Sequence, residues 1–96
     1  MMNYKLNKDY LIELNKLMKG LAQRGISFTF EQIFDGGKVN VPSQNWDAIC
    51  HMGSYGHDKT LLEVMGEAVN RNPYDDVEGY LTADTILARV DENKEL

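Results

Sequence analysis

The residue types best suited to chemistry crowd into the middle of the chain: Cys50, His51, Gly53, His57, Asp58, Lys59 and Thr60. Gly53, Lys59 and Thr60 hold the offsets of a G-x-x-x-x-G-K-[ST] loop, whose backbone amides cradle phosphate while the lysine neutralises it. Asp58 stands where such a loop needs its second glycine, and a carboxylate there repels the ligand. Cys50, His51, His57 and Asp58 suit a metal, but closed zinc sites draw four ligands from well-separated pairs. Neighbours on a strand, such as Cys50 and His51, point to opposite faces, which keeps both from reaching one ion. A Cys50 nucleophile activated by His57 would need an orienting third group. Cys50 instead shares a strand face with Trp46 and Met52, a packing position. Asp75 and Asp76 lack the apolar enclosure that raises a carboxyl pKa for acid–base work. The expectation is a non-enzymatic chain with no catalytic residue, no metal and no cofactor. The alternative is a small ligand- or metal-binding protein or enzyme using the Gly53–Thr60 turn.

Charge carries the stronger functional signal. The net charge is −5, but residues 1–46 sum to +2 and residues 47–96 to −7. Asp47, Asp58, Glu63, Glu67, Asp75, Asp76, Glu78 and Asp84 fall in the acidic half. Such a surface attracts basic surfaces and can imitate the phosphate spacing of a nucleic acid. Asp75, Asp76, Glu78, Asp84, Glu63 and Glu67 are therefore the candidate partner-binding residues, and the expected partner is a basic protein surface. An acidic surface that only confers solubility is the competing explanation. Direct nucleic-acid binding is disfavoured, because Asp9 and Glu13 interrupt the lysines of the first helix and the pI is near 4.8.

Local patterning predicts the elements that position these groups. Tyr10, Leu11, Leu14, Leu17, Met18 and Leu21 recur at spacings of three and four, which predicts a helix over 7–24 capped by Asn7 and closed by Gly25. Gly20 should weaken its last turn by about 1 kcal/mol relative to alanine. Ile26, Phe28 and Phe30 alternate with polar residues, and Asp35-Gly36-Gly37-Lys38 offers turn chemistry. A hairpin of 26–34 and 38–41 follows, ended by Pro42. A third strand from Trp46 to Met52 would turn Trp46, Ala48, Cys50 and Met52 to one side. Leu61, Leu62, Met65, Ala68 and Val69 fit the buried face of a second helix, with Thr60 and Glu63 spaced as a capping box and Asp58 as a rival cap. Residues 70–76 connect to a third helix capped by Thr82 and carrying Ala83, Ile86, Leu87 and Val90. The fold class is α+β in the order α-β-β-β-α-α, a small three-stranded antiparallel sheet packed with helices.

Ninety-six residues make one domain, 1–96, with 1–5 and 91–96 expected to fray. An apolar fraction of 43% is enough for a core and argues against disorder. The single cysteine, Cys50, cannot form an internal disulfide, which suits a reducing compartment. No secretion signal and no bilayer-length apolar run is visible, so the expected location is the cytoplasm, with no membrane partner.

Phe34–Val41, Trp46–Gly56, Leu61–Gly66 and Val77–Ala83 together resemble small uncharacterised open reading frames of phages and mobile elements in Gram-positive bacteria. That resemblance implies an accessory protein that binds a host macromolecule and works in the host cytoplasm. The predicted element order and acidic second half are also similar, in shape and charge, to small type II-A anti-CRISPR proteins, which occupy the DNA-binding surface of a host nuclease. The implied function is inhibition of a defence nuclease by a DNA-mimicking surface. A self-associating structural or regulatory module is a further alternative.

Overall fold

The computed structural model describes residues 4–94. The first element is a 3-10 turn, Lys8–Leu11, which runs into helix α1, Ile12–Gln23. Gly25 adopts φ 68° just past the end, as predicted, whereas Asn7, accepting the Asp9 N–H at 3.0 Å, caps the 3-10 turn, and the α-helix itself begins at Ile12 without a side-chain cap. Leu14, Leu17 and Leu21 are fully buried, with Tyr10, Leu11 and Met18 packed against the same core.

Five strands follow rather than three: β1, Thr29–Ile33; β2, Gly36–Val41; β3, Trp46–Cys50; β4, Leu62–Met65; and β5, Val77–Leu81. They form one antiparallel sheet in the order β1-β2-β3-β4-β5. Helix α2, Ala83–Lys94, closes the fold. The α+β class holds, while the three-stranded sheet does not.

The region predicted as a second helix is β4 and the turn after it. Leu62 and Val64 face inward and are fully buried, while Glu63 and Met65 face outward. The proposed capping box therefore does not form: Glu63 instead accepts the Tyr55 N–H at 2.9 Å, and Asp58 accepts the Tyr80 hydroxyl at 3.0 Å. The physical reason is that Leu61–Met65 satisfies both periods, and pairing of β4 with the exposed backbone of β3 satisfies the inward-facing set. Residues 77–81, to which the sequence reading assigns no element, form β5 on the far side of β4.

The first hairpin also turns earlier than predicted. Ile33 pairs with Gly36, so Phe34 and Asp35 make the turn, with Phe34 at φ 51°. Gly36 and Gly37 lie inside β2, where side chains would not fit. A Cβ at Gly36 would sit 1.8 Å from the Cys50 carbonyl oxygen, and one at Gly37 would meet the Phe30 ring.

Both helices cover the same sheet face. Leu14, Leu17 and Leu21 of α1 and Ala83, Ile86, Leu87 and Val90 of α2 share one core with Val39, Val41, Trp46, Ala48, Cys50, Leu62 and Val64. The predicted face of β3 is correct from Trp46 to Cys50, but Met52 lies beyond the strand and is exposed. Gly20, read as a weak point, is where the helices touch: a Cβ there would lie 2.2 Å from Leu87 Cδ1. Thr82 caps α2 as predicted, its hydroxyl accepting the Thr85 N–H at 3.2 Å. The last turn, where fraying is expected, is held by Arg24 on Asp91 and by Asn93 donating to the Ala68 carbonyl at 2.7 Å. Residues 1–3 and 95–96 of the expected frayed ends lie outside the described residues. Among the described residues no helix is long and apolar enough to cross a membrane.

The two glycines predict different outcomes on substitution. In Gly20→Ala, the flexible end of Leu87 can shift and helix propensity offsets the crowding, so stability should stay within about 1 kcal/mol of the parent. In Gly36→Ala, the obstacle is backbone, and about 3 kcal/mol should be lost. Urea unfolding of both proteins checks this; equal losses would contradict it.

Candidate functional site

The Gly53–Thr60 segment connects β3 to β4 and contains a 3-10 turn, His57–Lys59. No helix follows it, so the strand–loop–helix setting of a phosphate loop is absent. Its amides are also committed elsewhere. Met52 N–H donates to Asp35 Oδ1 at 2.9 Å, and Gly53 N–H to His51 Nδ1 at 3.0 Å. The Lys59, Thr60 and Leu61 amides donate to the carbonyls of Gly56, His57 and Gly56. The Thr60 hydroxyl donates to the Lys59 carbonyl at 2.7 Å. A phosphate would have to displace these bonds rather than complete them.

The two histidines are part of the same internal bonding. His51 Nδ1 acts as acceptor, and burial lowers the His51 pKa against the pull of Glu63 and Asp35. His57 Nδ1 lies 2.6 Å from the Ser54 carbonyl oxygen, which can only accept, so that nitrogen carries the proton. Cys50 faces the core, and burial, followed by the nearby Asp35, pushes its thiol up to about 11. Among the described residues, no group of three or more His, Cys, Asp or Glu is placed to hold a metal ion.

The six acidic candidates separate into different environments. Glu78 is an internal strut: it receives Arg89 through two bonds of 2.9 and 3.1 Å and the Arg71 N–H at 2.7 Å. The Arg89 hydrogen bond is the main reason its pKa falls. Asp84 sits in the first turn of α2, on the helix-covered side of the sheet. Glu67, Asp75 and Asp76, by contrast, surround an open depression of about 430 Å³ with Met65, Gly66, Asn70 and Asn72. Glu63 lies on the outer sheet face near Asp47. The Asp47 pKa is raised, first by burial and further by Glu63, with Lys38 opposing. Met65, 49% exposed, is the cross-strand partner of Asp47 and also lines the depression. A continuous surface therefore runs from Glu63 and Asp47 across Met65 to Glu67, Asp75 and Asp76.

The arginines are used elsewhere. Arg24 pairs with Asp91, Arg71 with Glu92 and Arg89 with Glu78, which accounts for every arginine in the sequence. Among the described residues, Asp47, Glu67, Asp75 and Asp76 are in no ion pair.

The loop beside the depression is ordered by its own side chains. Asn70 Nδ2 donates to the Asp75 carbonyl, and Asn70 and Asn72 accept the amides of Asn72 and Tyr74. At its tip Tyr74 is 95% exposed. Sequence reasoning missed Tyr74 and Met65: the first sat in an assumed connection, the second on an assumed buried helix face. The alternation of Leu62 and Val64 with Glu63 and Met65 was the available signal for Met65.

Comparison with known proteins finds no matching family, no matching curated protein and no matching solved structure. The chain is defined by its fold: an N-terminal helix, a five-stranded antiparallel meander and a C-terminal helix.

Two predictions follow from these environments. Iodoacetamide should alkylate native Cys50 at pH 8 about two orders of magnitude more slowly than an unfolded thiol, from the loss of thiolate alone; rapid native labelling would contradict the burial. Glu78→Gln should cost about 1–2 kcal/mol at pH 7, whereas Asp75→Asn with Asp76→Asn should not lower the melt. Because folding depresses the Glu78 pKa, its contribution is present above the ordinary glutamate range and lost as pH falls through the folded value. The parent should therefore lose this increment on acidification and the Glu78→Gln protein should not, as followed by urea unfolding at several pH values.

Proposed function

We propose that this chain is a non-catalytic phage or mobile-element accessory protein that presents an acidic surface to a basic protein partner, and that the partner is a host defence nuclease of the type II-A CRISPR class. The observation that carries this reading is a carboxylate-rich surface that no arginine neutralises. Asp47, Glu63, Glu67, Asp75 and Asp76 lie on the uncovered sheet face and adjoining loop, while all three arginines are engaged in ion pairs elsewhere. Carboxylates gathered with Lys38 as the one cation noted beside Asp47 leave the surface net negative, and a partner surface rich in Arg and Lys complements it on binding. Glu78 and Asp84 leave the candidate set, the first because it is committed to Arg89 and the second because it belongs to the helix side.

Apolar groups inside the acidic surface add a second element of recognition. Met65 lies at its centre, and Tyr74 projects from a loop whose conformation is already set. A preordered aromatic residue loses little entropy on docking and makes an effective anchor. Asp75 and Asp76 follow Tyr74 directly in the chain, so a slot with a cationic edge is the matching shape.

The test is DNA cleavage by a purified, guide-loaded type II-A CRISPR nuclease with the protein added in stoichiometric amount. Inhibition is expected, weakening steeply with salt. The combination Asp47→Asn, Glu67→Gln, Asp75→Asn and Asp76→Asn should abolish it while the melting temperature stays level or rises. Tyr74→Ala should weaken it by about tenfold or more with no change in melt. Full cleavage in the presence of the parent protein would reject the nuclease as partner, and undiminished inhibition by the charge-neutralised protein would reject the surface.

A further inference from the structure

The sheet has two edges, and among the described residues only one is protected along its length. At β5 the pairing register shifts between Leu62 and Val64, Tyr80 takes φ 62°, and Tyr55 packs so closely on Gly79 that a Cβ there would meet it at 2.4 Å. Bulges, twists and covering side chains of this kind prevent an edge from pairing with another chain. Strand β1, Thr29–Ile33, has none of them. It contains no proline, no lysine and no bulge, and Glu31 is its one charge. Among the described residues nothing pairs with its free edge.

Among the described residues the cover above β1 is slight, Gln32 Nε2 donating to the Tyr4 carbonyl at 3.2 Å near the end of the strand. Helix α1 lies over β2 and β3. Phe30 shares a rung with Val39 and Ala48, so it belongs to the inner face, where those two residues are fully buried. Phe30 is nevertheless 42% exposed. Its ring shields Gly37 on one side and meets solvent on the other.

We propose that β1 pairs antiparallel with β1 of a second copy of this chain, about a two-fold axis through Phe30, joining the two sheets into one. This register is self-complementary. Phe30 meets its own copy, an aromatic pair that completes the inner face, and Thr29 stands opposite Glu31. An axis through Glu31 would instead oppose two carboxylates directly, which is destabilising. Charge disfavours the opposite edge. β1 lies in the half of the chain with net +2, whereas the carboxylates of the β4–β5 loop lie at the other side of the sheet. Pairing through β1 keeps the acidic loops far apart. Because the axis is perpendicular to the sheet, both outer faces point the same way, so the pair displays two acidic surfaces side by side. This inference stands on the edge alone and does not depend on the identity of any partner.

Sedimentation equilibrium of the full chain, from about 10 μM to about 1 mM, provides the test, the range set by the small area a single strand pair buries. The mass should rise from the 10.9 kDa of one chain toward twice that value. Thr29→Lys, at an exposed position, sets a lysine opposite Glu31 of the other copy twice by symmetry. It should tighten association several-fold at low salt, and high salt should erase the gain. Phe30→Lys should be monomeric throughout, with circular dichroism verifying that it folds; should it not fold, Thr29→Lys alone decides. A single-chain mass at every concentration, or association indifferent to Thr29→Lys, would overturn the proposal.

Discussion

The contact between two helices and one side of a five-stranded sheet is what the other features depend on. Leu14, Leu17 and Leu21 of α1 and Ile86, Leu87 and Val90 of α2 press on Val39, Trp46, Ala48 and Val64. Each large apolar side chain removed from water contributes roughly 1.5–3 kcal/mol, and no disulfide supplements that sum. Gly20 lets Leu87 approach α1 closely, so the helix layer stays narrow. A narrow layer covers the middle strands, leaving β1 and the whole outer face of the sheet to solvent.

Charge placement follows from this one-sided architecture. The arginines act as fasteners at the rim of the helix layer: Arg24 and Arg71 hold the last turns of α2, and Arg89 ties α2 to β5 through Glu78. Their use there removes them from the outer face. Asp47 is left partly buried, and it is this burial that raises its pKa, with Lys38 opposing more strongly than Glu63 adds.

The Gly53–Thr60 segment, which holds the chemically suggestive residues, serves the sheet. Asp35 of the first hairpin receives the Met52 amide, Glu63 receives the Tyr55 amide, and Asp58 receives the Tyr80 hydroxyl. These bonds join the β3–β4 connection to β1–β2 on one side and to β5 on the other. Gly56 and Thr60 supply the left-handed backbone that so tight a path requires, with φ 102° and 54°. The side-chain types that suggested a phosphate or metal site are explained by hydrogen bonds inside this connection.

Elements with a single, uncontested local period were legible from the sequence alone: α1, the existence of the first hairpin, the inward face of β3 and the Thr82-capped helix. In each, the apolar spacing admits one solution and a capping or turn residue marks an end. Residues 60–69 were not legible, because Leu61, Leu62, Met65, Ala68 and Val69 fit a helix as well as Leu62 and Val64 fit a strand. The open backbone of β3 decided between them, and that is a partner distant in sequence. β5 followed once β4 existed to pair with it. The role of Glu78 was equally hidden, since its proximity to Arg89 arises only when α2 folds back across the sheet. Composition determined that the second half would be acidic; tertiary structure decided which carboxylates are neutralised and which face outward together, because ion pairing depends on distances that one-dimensional spacing does not contain.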